Sequence, residues 1–363
     1  MAELRDRLRT IFSQASSRVT PTSTYIRFEP SMVKSTLNFD EEFREDQHYF
    51  QIVINEMFLA NNRKWFTEYD PIVFATTRFA YNGREQEVPQ VIGTNFLSKY
   101  RRDMPQGTRF VNTPASGFHP FVGGEFVIGL VLYRAELENY LRNLLGIVEK
   151  LIALVNPSVA LGSYLNIAGV VIDGLEVIIG SGSRAEPLVA VHQSFLMGGE
   201  QKLKPGYFAL VNAPETEIDP QRLWVQGDRL CVGDSLTTSV PYTAHDFILF
   251  SINQTDTRND IQILPFYSTW RDVQRAAAEA QEERDWDRAK LKFKSLAEEI
   301  LFSPDLTSPQ KDKLIDEFQR VLENLRERFR QLGDMGIAVT RTDKEYESVS
   351  TKLEDLNNWI DKL

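Results

Sequence analysis

The middle of the chain contains an apolar segment, Ser158–Gly180, with the sequence SVALGSYLNIAGVVIDGLEVIIG. Its small and polar residues recur in steps of three or four, which places them on one face of a helix. They are Ser158, Gly162, Asn166, Gly169, Asp173, Glu176 and Gly180. An ordinary surface helix shows the opposite pattern, an apolar stripe on a polar background. The segment therefore predicts a helix enclosed by protein, with enclosure by lipid as the alternative.

Another helix is predicted directly before this segment. It is the first helix, and Ser158–Gly180 the second, of an inserted helical hairpin that we expect at residues 135–184. Residues 135–155 have Leu and Val at the spacing of an amphipathic helix. Asn156 and Pro157 then supply an N-cap and a proline at the first helical position. The glycines of Gly180-Ser181-Gly182-Ser183 end the second helix and return the chain to the β region.

The polar face of the second helix is a candidate functional seam, facing a partner or a lumen. The seam consists of Gly162, Asn166, Gly169, Asp173 and Glu176. The two carboxylates interrupt an apolar helix, and a buried carboxylate is costly unless it is paired. The alternative for Asp173 and Glu176 is a solvated ridge or a salt bridge to the β domain.

Both sides of the hairpin, residues 17–134 and 185–267, have the pattern of β-strands. Short runs rich in Val, Ile, Phe and Tyr are separated by turn residues, including the hairpin-type dipeptide Asn82-Gly83. The last predicted strand is DIQILPFY, residues 260–267. Because strands and helices do not alternate regularly, a parallel α/β fold is not indicated. We expect an α+β protein with an antiparallel β-sandwich or strongly bent sheet.

Helices are predicted at both ends of the chain. Residues 1–16 place Leu4, Leu8, Ile11 and Phe12 on one helical face, which indicates docking onto the body of the protein or, alternatively, a membrane-surface helix. Residues 268–363 are rich in Glu, Lys, Arg, Ala and Leu and should be helical almost throughout.

The start of this C-terminal region reads as two helices joined near Arg284-Asp285. With Asp285-Trp286 at the turn and Ala289 then Phe293 on the second helix, residues 271–302 resemble one tetratricopeptide-type helix pair. Another amphipathic helix is predicted at 305–332, and a last one at 342–363. The last helix is a candidate docking helix with the apolar face Val349, Leu353, Leu356 and Trp359.

Composition excludes several classes of partner and site. The chain has 363 residues and a formal net charge of −10, whereas a dedicated nucleic-acid-binding protein needs a basic face. The single cysteine, Cys231, cannot form an intramolecular disulfide, and without a signal peptide the expected location is cytoplasmic. The histidines lack metal-ligand spacing and no cofactor motif is recognised, so neither a metal, a cofactor nor a catalytic residue is predicted.

The loop Asn112–Gly124, NTPASGFHPFVGG, is a candidate interaction loop carrying Phe118, His119 and Phe121. It mounts aromatic rings and a titratable group between two predicted strands, and such loops often carry function. The alternative is a glycine-rich β corner in which Phe118 and Phe121 close the edge of the sheet.

These observations favour a non-enzymatic intracellular scaffold or interaction protein in a multi-component assembly. Its expected partner is another protein or a second copy of the chain. The alternative is a membrane-active effector that inserts the 135–180 hairpin, and only then would a membrane be a partner. A third interpretation is an enzyme that uses the His119 loop.

Overall fold

The structure is a computed structural model. It describes residues 2–19, 23–35, 37, 39, 41–60, 63–64, 67–68, 70–93, 101–103, 108–136, 146–147, 168–180, 185–196, 203–280 and 283–334. The described residues divide into two compact units, of which the first ends at Thr255 and the second begins at Asp256.

The described helices are α1 (Ala2–Arg18), α2 (Ala168–Gly180), α3 (Phe266–Glu279), α4 (Glu283–Leu301) and α5 (Ser308–Asp334). The described strands are β1 (Ser23–Arg27), β2 (Val33–Lys34), β3 (Tyr49–Leu59), β4 (Arg63–Lys64), β5 (Thr67–Glu68), β6 (Asp70–Tyr81), β7 (Arg84–Ile92), β8 (Arg101–Asp103), β9 (Thr108–Pro114), β10 (His119–Pro120), β11 (Glu125–Ala135), β12 (Glu186–Leu196), β13 (Gly206–Asn212), β14 (Leu223–Gln226), β15 (Leu230–Val232), β16 (Val240–Pro241) and β17 (Phe247–Thr255). Helices α1 and α2 and all the strands belong to the first unit, whereas α3, α4 and α5 belong to the second.

The first unit is built from three sheets, with β4 and β5 as a separate ribbon. Sheet I has the order β1-β13-β17-β3-β9-β8, with β10 also paired to β3. Sheet II has the order β12-β11-β6-β7, and every strand pair in these two sheets is antiparallel. Sheet III has the order β16-β15-β14-β2 and contains one parallel pair, β14 with β2. Sheets I and II pack face to face as a β-sandwich.

Strand β11 explains why sheet II is covered on both faces. Its sequence, EFVIGLVLYRA, is apolar at successive positions, and almost every residue in it is buried. Phe126, Ile128, Leu130 and Leu132 point into the core that sheet II shares with sheet I. Val131, Tyr133 and Ala135 point to the other face, where α1 and α2 lie. A strand that is apolar on both faces must be covered on both sides.

Helix α1 covers the outer face of sheet II through Leu8, Ile11, Phe12 and Ala15, which are all buried. The Phe12 ring stacks on Phe74, with the ring centroids 5.2 Å apart. Gly129 of β11 makes this approach possible, because a Cβ atom at that position would lie 2.4 Å from the Cζ atom of Phe12. The N-terminal helix therefore docks onto the body of the protein, as predicted, and the surface that it covers is sheet II.

The outer face of sheet I is covered by sheet III. Tyr207, Ala209, Phe247 and Leu249 of sheet I share an apolar cluster with Leu223, Val225 and Leu230 of sheet III. The short strands of sheet III thus close the last apolar face of the sandwich.

The second unit is a bundle of α3, α4 and α5 around a core of its own. Trp270 of α3 stacks on Phe318 of α5, with the ring centroids 4.1 Å apart and the planes 5° apart. At the start of the unit Arg258 is buried, and its backbone N–H donates to Gln310 Oε1 at 3.0 Å. Gln310 Nε2 returns a hydrogen bond to the Arg258 carbonyl oxygen at 3.1 Å, so the entering chain is held to the first turn of α5.

The structure confirms the predicted α+β fold with antiparallel sheets and a C-terminal helical region. The Asn82-Gly83 turn is also confirmed, because both residues have positive φ angles, 49° and 71°. The first helix of the predicted hairpin lies mostly outside the described residues, and its second helix is described from Ala168 to Gly180.

Two local predictions were wrong. DIQILPFY is not a strand but a 3-10 turn, Ile261–Ile263, followed by the first residues of α3. Its apolar side chains, among them Ile261 and Leu264, enter the helical core of the second unit. The two helices of the 271–302 segment separate at Ala280, where the backbone is extended, and not near Arg284-Asp285.

Two neighbouring valines of α2 provide a test of its packing. Val171 is fully buried against sheet II and α1, whereas the Val170 side chain is 49% exposed. Val171→Asp should lower the free energy of unfolding by roughly 3 kcal/mol or more, because it buries an unpaired charge. Val170→Asp, the matched control, should change it little. Thermal melts of both variants check this, and equal melting temperatures would contradict the described packing of α2.

Candidate functional site

The two seam carboxylates bind one arginine of the N-terminal helix. Arg7 Nε donates to Glu176 Oε1 at 3.0 Å, and Arg7 Nη2 donates to Glu176 Oε2 at 2.7 Å and to Asp173 Oδ1 at 2.6 Å. These hydrogen bonds, first those to Glu176 and then that to Asp173, raise the pKa of Arg7 above its ordinary value. The guanidinium group therefore links α1 to α2 across the outer face of sheet II.

This ion-paired cluster of Arg7, Asp173 and Glu176 lies at the protein surface. The side chains are 29%, 65% and 42% exposed, respectively. Solvent screening limits such a cluster to roughly 1 kcal/mol of stability, although the bidentate contact to Glu176 also orients the helices. The two carboxylates do form salt bridges, but the predicted partner was wrong: it is Arg7 of α1 and not a residue of the β domain.

The rest of the seam is only partly visible. Gly162 and Asn166 lie outside the described residues, and Gly169 is half-buried. On the same side of α2, Val170 and Val177 are 49% and 42% exposed. The described part of α2 is thus enclosed on the face of Val171 and Leu175 and exposed on the opposite face. The expectation that the helix is enclosed all round was wrong for these residues, because α1 and sheet II cover only one side of it.

A buried carboxylate, Glu56, lies between sheets I and III. It is 3% exposed and accepts a hydrogen bond from the Leu230 backbone N–H to Oε2 at 2.7 Å. Arg109 forms an ion pair with its Oε1 atom, and Arg229 Nε lies 3.8 Å from the same atom. Burial raises the pKa of Glu56, against the opposing effects of Arg109, the Leu230 amide and Arg229. The cluster fastens sheet III to sheet I.

Sequence reasoning missed this cluster, although one signal was present. Glu56 is the only charged residue in the strand YFQIVINEMFL, whose other residues are mostly apolar and buried. Neighbouring Cys231, the only cysteine, is buried, and burial raises the pKa of its thiol. A buried thiol of raised pKa is a poor nucleophile, which agrees with a packing role.

A carboxylate–imidazole–phenol chain lies near sheet III. Glu217 Oε2 is 3.5 Å from His245 Nε2, and His245 Nδ1 is 2.7 Å from the Tyr242 hydroxyl oxygen. Burial raises the pKa of Tyr242 to about 12, so the phenol is protonated at neutral pH. Tyr242 is itself buried. These three side chains therefore hold the segment before β17 in place, and they do not present a nucleophile.

The candidate interaction loop is largely built into the sandwich. His119 is 2% exposed, pairs with Phe50 of β3, and lies with its ring centroid 4.7 Å from that of Phe79. Phe121 is also buried, 5.3 Å from the Phe43 ring. Phe118 is half-buried and is the residue of the three with the most surface. The use of this loop as an interaction site stays a prediction.

The helical unit exposes large apolar side chains. Leu301 and Phe302, at the end of α4, are 48% and 84% exposed, and Leu291 on the same helix is 70% exposed. The candidate docking helix with Val349, Leu353, Leu356 and Trp359 lies outside the described residues, so its role stays a prediction.

Comparisons of the chain with protein-family models, with curated proteins and with solved structures found no match. Of the helices that the structure describes, none has the length and apolar character needed to cross a membrane.

The raised pKa of Glu56 predicts a pH dependence. The folded state binds the Glu56 proton more tightly than the unfolded state does. The contribution of this residue to the free energy of unfolding is therefore fully present at pH values below the pKa that Glu56 has in the unfolded chain. It then falls as the pH rises through the folded pKa. The melting temperature of the wild type minus that of Glu56→Gln should therefore decrease from about pH 4 upward. Thermal melts across this pH range measure the difference, and an increase would mean that the arginines outweigh burial.

Proposed function

We propose that this chain is a non-enzymatic interaction protein of a multi-component assembly, and that its helical unit contacts a protein partner through Leu301 and Phe302. The observation that carries the proposal is the 84% exposure of Phe302 beside a half-exposed leucine. Adjacent exposed apolar residues of this size mark interaction surfaces more often than single ones do.

The exposure of Phe302 contrasts with the burial of three described aromatic residues of the unit. Trp270, Trp286 and Phe318 are at most 2% exposed and form the centre of the bundle. Burying one phenylalanine side chain contributes roughly 1.5–3 kcal/mol to stability. Phe302 does not make this contribution within the described unit, because its ring is exposed. A partner that covers the ring would gain it on binding.

The backbone holds Phe302 ready for such a contact. Its N–H donates to the Glu298 carbonyl oxygen at 3.0 Å, so the residue continues the last turn of α4. A side chain on an ordered turn loses less conformational entropy on binding than one on a flexible tail. Because Glu298 and Glu299 lie next to Leu301 and Phe302 in the sequence, the matching partner surface is an apolar pocket with a basic rim.

A membrane-active effector is the second candidate, favoured by the exposure of Val170 and Val177 on α2. Membrane insertion would require α2 to leave sheet II. That step exposes the buried side chains of Val171, Ile172 and Leu175 to water during release and breaks the contacts of Arg7 with both seam carboxylates. These contacts make the second candidate the weaker one.

The partner contact can be tested by substitution at Phe302. Phe302→Ser should abolish co-purification of a stoichiometric partner, or self-association measured by light scattering, because it removes the exposed ring. The melting temperature should not change, since the side chain is not part of the core. Leu291→Ser is the matched control on the same helix and should behave as the wild type. Identical assembly by all three proteins would contradict the proposal.

Leakage from dye-loaded anionic vesicles separates the two candidates. The wild type and Arg7→Gln, which removes the ion pairs between α1 and α2, should both leave the vesicles intact, because the apolar face of α2 stays on sheet II. Rapid leakage, above all from Arg7→Gln, would favour the membrane-active effector.

A further inference from the structure

A cavity of about 200 Å³ lies between α1, α2 and the ends of β11 and β12. Apolar side chains including Ile11 and Ile179 line part of it, and Arg18, Tyr133 and Glu176 bring polar groups to it. Pockets for drug-sized ligands are larger, about 300–1,000 Å³, so an occupant of this cavity must be a small molecule.

Tyr133 gives the cavity a hydrogen-bond donor. The residue is 2% exposed, and its hydroxyl forms no hydrogen bond to any residue in the described part of the chain. Burial also raises the pKa of Tyr133, with Arg18 acting in the opposite direction, so the phenol is a hydrogen-bond donor at neutral pH. The hydroxyl can donate a hydrogen bond to an acceptor atom of a ligand in the cavity.

The cavity carries one charge of each sign. The Arg18 side chain, in the last turn of α1, forms no ion pair with the carboxylates that the structure describes. Both carboxylate oxygens of Glu176 accept hydrogen bonds from Arg7, one from Nε and one from Nη2, which fixes their position. An unpaired guanidinium binds a carboxylate, and a fixed carboxylate binds an ammonium group.

We propose that this cavity binds a small zwitterion, an α-amino acid with a short apolar side chain. The ligand carboxylate contacts the Arg18 guanidinium and the Tyr133 hydroxyl, and the ammonium group contacts Glu176. The ligand side chain lies against Ile11 and Ile179. Such a ligand touches α1, α2 and sheet II at once, which gives the protein a small-molecule response in addition to the proposed partner contact.

Isothermal titration of the full chain tests the proposal with glycine, alanine, valine and leucine. At least one should bind saturably, and two analogues then identify the groups that are recognised. For valine these are isovalerate, which lacks the ammonium group, and isobutylamine, which lacks the carboxylate. Each analogue should bind at least about tenfold more weakly than valine, because each loses one charged contact. Absence of binding by all four amino acids, or equal binding of isovalerate, would overturn the assignment.

Three variants locate the site. Tyr133→Phe removes only the hydroxyl group, and Arg18→Gln removes a charge from an exposed side chain, so both should fold normally. Each should weaken binding about tenfold. Arg9→Gln is the matched control, because Arg9 lies on the same helix but does not line the cavity. Unchanged affinity in both test variants would place any binding elsewhere and overturn the proposal, whatever the outcome at Phe302.

Discussion

The first unit depends on one constraint, the apolar character of β11 on both of its faces. Strand pleating sends alternate side chains to opposite sides, so a run such as FVIGLVLY cannot leave either side in water. Sheet I covers one side. Helices α1 and α2 cover the other, and Gly129 supplies the space into which the Phe12 ring fits. The N-terminal helix is therefore part of the core and not an appendage.

Charged residues then fasten the layers that the apolar faces bring together. Glu56 joins sheet III to sheet I with Arg109 and the Leu230 amide as partners, and Arg7 joins α1 to α2. The two clusters differ in environment. Glu56 is buried, and the loss of hydration dominates its pKa, whereas the carboxylates that bind Arg7 remain in contact with solvent. Loss of one partner should be costly in the first cluster and mild in the second.

The contrast between right and wrong predictions follows from the range of the interactions involved. The long strands and the Asn82-Gly83 turn depend on neighbouring residues, and the sequence pattern identifies them. DIQILPFY has the same apolar pattern as a strand, but the side chains of Ile261 and Leu264 pack into the helical core. The apolar composition of Ser158–Gly180 likewise predicted an enclosed helix. In the structure, α2 has a buried face and an exposed face, because its neighbours cover only one side of it.

The sequence by itself determined the α+β class, the antiparallel strands on both sides of an apolar helix, and the helical C-terminal region, because these follow from periodicity within short segments. Only the tertiary structure decided which groups meet. Arg7 and Asp173 are 166 residues apart in the chain, yet their side chains form a hydrogen bond of 2.6 Å. Arg18, Tyr133 and Glu176 similarly come from three elements to line one cavity. Such contacts depend on distances in space, and the local periodicity of a single sequence contains no information about them.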